Sequence, residues 1–92
     1  MKNKKITLKE FWKSLDRLAI HCDTEEKADK LLEAFDKYGE SWSVDSRYTD
    51  INYWNEYKEK TCYDNDIAYC DINSYKEDNY TIYEFEDVDL EN

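Results

Sequence analysis

Between Asp23 and Gly39 the sequence carries the local signals of one amphipathic helix. Asp23 and Thr24 have side chains that cap a helix N-terminus, and Glu25 and Glu26 follow at its positive end. Ala28, Leu31, Leu32, Phe35 and Tyr38 fall on a single stripe. Gly39, the only glycine, stands where a left-handed C-terminal cap belongs. That stripe needs a core to face, and aliphatic side chains are scarce. The apolar fraction is 40% and the charged fraction 39%, which alone would suggest disorder. Three Trp, nine Tyr and three Phe argue for folding, because bulky rings reward burial. A single domain over 1–92 with a modest, largely aromatic core is therefore expected, with residues 1–5 and 88–92 frayed. With no Pro and one Gly, the chain has no flexible linker.

The remaining elements are weaker. Thr7 and Glu10 have capping-box spacing, and Leu8, Phe11, Trp12 and Leu15 follow at helical intervals, predicting a helix over 8–16. Leu18, Ile20 and Cys22 alternate with Ala19 and His21 as in a strand. Residues 42–44 suit another strand, expected to pair with 18–22. Residues 45–63 follow no clean period, although 52–60 has room for two helical turns. Residues 67–70 read as a strand, Asp71 as the cap of a helical turn over 72–78, and residues 80–86 as a strand rich in Thr, Ile, Tyr and Phe. The stretches around His21-Cys22-Asp23 and Tyr69-Cys70-Asp71 echo one another, each leading into a helix and then a strand. The expected fold is α+β: a small mixed sheet of about four short strands carrying two amphipathic helices, with a β-α-β-like pair suggested by the echo.

Metal and nucleophilic chemistry find little footing. His21, Cys22, Cys62 and Cys70 are zinc-ligand types, but no Cys-x-x-Cys spacing exists and adjacent strand residues point to opposite faces. No glycine-rich turn or oxyanion loop accompanies the Cys and His residues. The reading is a non-enzyme without metal or cofactor. No apolar run follows the basic start and three cysteines cannot all pair internally, so reduced thiols in a cytoplasm are expected, with no membrane partner.

Charge is the sharpest functional signal. The net charge of −10 argues against direct nucleic-acid binding, since phosphates repel such a surface. It is also lopsided: residues 1–46 hold 9 basic and 10 acidic groups, residues 47–92 hold 4 and 13. Dense like charge destabilises a compact state, so an electropositive partner is one explanation and a solvated acidic flank the other. The candidate partner-binding residues are Asp64, Asp66, Asp71, Glu84, Glu86, Asp87 and Asp89. A second candidate is the aromatic stretch 42–63, where Arg47, Tyr53, Trp54, Tyr57 and Lys58, with Lys60, offer rings and cations to a nucleotide. The same rings equally suit core packing.

The order of motifs resembles a family of small proteins encoded by phages and prophages of low-GC Gram-positive bacteria. His21-Cys22, Thr24-Glu25-Glu26, Trp54 to Tyr57, Thr61-Cys62-Tyr63, Tyr69-Cys70-Asp71 and the closing acidic-aromatic stretch from Tyr80 to Asp87 carry the resemblance, over roughly residues 18–87. The chain departs from it after Trp42, where Ser43-Val44-Asp45-Ser46 replaces an expected Ser-Gly step. The resemblance implies a phage setting and no particular activity. It makes interference with a host machine the leading expectation: a stoichiometric, anti-CRISPR-like inhibitor whose acidic half imitates phosphates in a basic channel of a nuclease or other defence complex. Two alternatives are a sponge for a nucleotide immune signal and a small assembly protein that forms homo-oligomers.

Overall fold

The central helix forms where its caps and stripe put it. The structure, a computed structural model, describes residues 5–90. In chain order the elements are β1 (Ile6–Thr7), α1 (Leu8–Lys13), β2 (Leu18–His21), α2 (Glu25–Tyr38), β3 (Ser41–Ser43), β4 (Ser46–Arg47), α3 (Trp54–Tyr57), a 3-10 turn (Lys58–Lys60), β5 (Thr61–Asp64), β6 (Tyr69–Asp71), α4 (Ile72–Glu77), β7 (Thr81–Glu84), a second 3-10 turn (Phe85–Asp87) and β8 (Val88–Asp89). The Thr24 hydroxyl accepts from the Lys27 amide at the start of α2, and Gly39 closes it at φ 108°. Thr7 and Glu10 form the reciprocal capping box of α1 at 3.0 and 3.1 Å.

Four strands form a mixed sheet in the order β6-β5-β2-β7, confirming the α+β architecture. β2 runs antiparallel to β5 and parallel to β7, and β5 runs antiparallel to β6. One face carries Leu18, Ile20 and Tyr63, packed under Phe11 of α1 and under Ala28, Leu31, Leu32 and Phe35 of α2. The other carries Ala19 and Cys62 beneath Tyr75 of α4, with Cys70, Ile72, Tyr80 and Ile82 packed alongside. Rings fill the space that aliphatics leave: Phe11 and Phe35 stack at 5.6 Å, and Tyr48 meets Phe35 edge-on at 5.2 Å.

Several expectations are corrected. The segment around Trp42 does not pair with residues 18–22; β3 folds back on β4 as a separate hairpin, and β5 and β7 flank β2. Of the suggested β-α-β pair, only the second member lies within the sheet, as β6-α4-β7, with β5 and β2 between its strands. α1 stops at Lys13: Ser14 is extended (ψ 140°) and its hydroxyl accepts from the Asp16 amide, turning Leu15 fully into solvent. The tail is ordered beyond Asp87, because β8 pairs in parallel with β1 and Val88 is buried. The expected fraying of residues 1–4 and 91–92 lies outside the described residues.

Candidate functional site

The seven acidic candidates do not share one face. Asp64, at the end of inner strand β5, is only 4% exposed. Its Oδ1 accepts from the Asp66 and Ala68 amides at 2.8 and 3.0 Å, and its Oδ2 accepts from the Tyr75 hydroxyl at 2.9 Å. Burial outweighs these bonds and pushes its carboxyl pKa upward. Asp64 is therefore an internal strut, a correction to its placement on a partner surface. Asp71 caps α4, accepting from the Ser74 amide at 2.9 Å. Asp66 lies at the Leu18 end of β2, beside Asp16, Arg17, Asp78 and Tyr80. Asp89 lies opposite Thr7 in the β1–β8 pair.

The remaining three lie at and just beyond the C-terminal end of β7, which the parallel register sets beside the end of β2. Glu84 is the register partner of His21, and its carboxylate meets His21 Nδ1 at 2.8 Å. The other ring nitrogen, Nε2, faces the Glu59 carbonyl at 2.7 Å. The ring is thus held between the two chain segments. Lys27 of α2 bonds Asp23 at 2.7 Å and also Glu86, so one cation spans two carboxylates. Its hydrogen bonds hold the Asp23 and Glu86 carboxyls below their ordinary pKa range and raise the lysine's own. Asp23, Glu84 and Glu86 thus meet at one end of the sheet, and Asp87 follows in the turn after β7. The charge excess of the second half pointed to three of them; Asp23 and the bridging Lys27 gave no signal, because their meeting depends on the β2–β7 register.

The aromatic stretch divides differently from expectation. Trp54 is a pin, donating its indole N–H to the Cys22 carbonyl at 3.1 Å. Arg47 is engaged by Asp36 through two bonds of 2.5 and 3.1 Å. Tyr57 and Lys58 lie in α3 and the turn after it. Tyr53 lines an open cleft of about 420 Å³ with Trp42, Ser43, Ser46, Ile67, Ala68 and Tyr69. None of those lining residues is Lys or Arg, so Arg47, Lys58 and Lys60 are not gathered there. Sequence reasoning missed Tyr69 and Ile67 as cleft residues, because they come from beyond the aromatic stretch.

The thiols are not arranged as activated nucleophiles. Cys62 faces Cys70 across β5 and β6, while Cys22 is buried past the end of β2. Burial pushes the Cys62 thiol up to about 12 and raises Cys22 as well, the reverse of what a reactive thiolate needs. Among the described residues no three His, Cys, Asp or Glu side chains are grouped to hold a metal ion, and no helix is long and apolar enough to cross a membrane. Comparison with protein-family models, curated proteins and solved structures returned no match. The phage-type resemblance therefore rests on the order of its motifs alone.

Proposed function

We propose that the protein is a stoichiometric, anti-CRISPR-like inhibitor of a host nucleic-acid enzyme. Its contact surface is the carboxylate end of the sheet, which imitates phosphates toward a basic channel. The observation that carries this reading is the meeting of Asp23, Glu84 and Glu86 where β2 and β7 end, fixed by His21 and a single lysine. Lys27 and His21 orient these carboxylates without cancelling them, and orienting charged groups before association lowers the cost of binding. A net charge of −10 steers the chain toward an electropositive partner and away from nucleic acid itself. The working residues are Glu84, Glu86, Asp87 and Asp23; Asp64 and Asp71 are committed to internal bonds.

The sponge reading stands second. A nucleotide would stack in the cleft of Trp42, Tyr53 and Tyr69, but its phosphate would meet no cation among the lining residues.

The test is titration of the protein into a DNA-cleavage assay with an RNA-guided nuclease. The wild-type chain should abolish cleavage near equimolar ratio, and E84K/E86K/D87K should not. Full inhibition by the folded triple variant contradicts the reading.

A further inference from the structure

The cleft beside β6 has features that core packing does not require. Tyr53 and Tyr69 stack at 4.5 Å with their planes 12° apart. Trp42 stands across both, at 83° to Tyr53 and 72° to Tyr69, so the three rings make a corner. An aliphatic side chain lines it in solvent: Ile67 is 40% exposed. Both Tyr53 and Ile67 sit in the left-handed region, at φ 58° each. For a β-branched isoleucine that conformation is a true outlier, and it holds an apolar side chain outward at the cleft wall.

The electrostatics select the occupant. Aromatic faces carry negative charge density, which attracts cations. Glu56 accepts the Tyr69 hydroxyl, and Asp45 lies in the hairpin between Ser43 and Ser46, which both line the cleft. A planar guanidinium offers a cation and a flat face that stacks on rings, whereas an anion meets ring faces and no Lys or Arg among the lining residues. We infer that this cleft is a docking site for an arginine-bearing segment of the protein's partner. The inference rests on the proposed electropositive partner and adds a second contact. Three strand spacings, about 14 Å, separate β6 from the β7 edge that carries Glu84.

The experiment is amide and indole NMR of the full chain, titrated with three probes: acetyl-Gly-Arg-Gly-amide, its neutral citrulline counterpart and AMP. The arginine peptide should shift the Trp42 indole N–H and the amides of Ser43, Ser46, Ile67 and Ala68. The citrulline peptide should bind at least about threefold more weakly, the scale of an exposed cation–π contact, and AMP should leave these signals still. Ile67→Gly, which the left-handed backbone favours, should keep the fold and weaken the arginine peptide, while Tyr69→Leu should abolish its shifts. Equal response to arginine and citrulline, cleft shifts with AMP, or no cleft shifts at all would overturn the inference. Arginine-peptide shifts confined to Glu84–Asp87 overturn the cleft and leave the phosphate-imitation reading standing. Full inhibition by E84K/E86K/D87K removes that reading without touching the cleft result.

Discussion

Asp64 shows what a residue's surroundings do to its chemistry. It belongs to the acidic half of the sequence, yet it is buried and accepts three hydrogen bonds. Asp64→Ala leaves two amides and the Tyr75 hydroxyl without that acceptor and should cost about 2–4 kcal/mol in denaturant unfolding. Asp64→Asn keeps one acceptor oxygen for the amides and turns an N–H₂ toward Tyr75, so it should retain most of the stability. The pH dependence separates the two effects. Because the folded carboxyl pKa is raised, the native state holds this proton more tightly than the unfolded chain does. The Asp64 contribution is therefore most favourable below the unfolded value near pH 3.9 and falls as pH rises through the higher folded value. Asp64→Asn should remove that fall, seen as a flatter stability profile on the acid side of neutrality. Ile67 offers a second residue-scale check: Ile67→Gly relieves a left-handed β-branched residue and should stabilise by about 1 kcal/mol in thermal unfolding.

At the scale of elements, legibility followed the kind of burial. α2 was readable because cap, acidic first turn, stripe and terminal glycine all agree. Thr24→Ala should cost about 1 kcal/mol by denaturant unfolding, since it strips the hydroxyl that receives the Lys27 amide. β5 was unreadable for a physical reason. It is an inner strand with Thr61, Cys62, Tyr63 and Asp64 all buried, so it has no polar alternation to detect. Without β5 in view, β2 lacked its antiparallel neighbour, and the Trp42 segment was paired with it wrongly. The acidic end was half legible: composition pointed to Glu84, Glu86 and Asp87, but a parallel β2–β7 pairing across more than sixty residues supplied His21, Asp23 and Lys27. Burial also predicts thiol reactivity strand by strand. Cys70, on the edge strand, should be alkylated in the native protein well before Cys22 and Cys62, as read by mass spectrometry of the digested chain.

For the whole molecule, the governing quantity is a net charge of −10 distributed by the fold. The sheet sends carboxylates to both ends, buries one, spends another on a helix cap and gathers three where β2 and β7 finish. The exposed pairs Asp23–Lys27, Glu86–Lys27 and Asp36–Arg47 have lowered carboxyl pKa values. Their small contribution is present above the unfolded carboxylate values and is lost as pH falls through the lower folded ones. In the proposed function their larger role is to orient the acidic end for association, which salt screens. The central claim is that this end binds a basic channel. Its most direct test is the dissociation constant for an RNA-guided nuclease, measured at about 50 mM and about 200 mM salt for the wild-type chain and for E84K/E86K/D87K. Tight wild-type binding that weakens steeply with salt, and loss of binding in the triple variant at both concentrations, is the predicted result. Wild-type affinity that ignores salt, or a folded triple variant that binds as tightly as wild type, would contradict it.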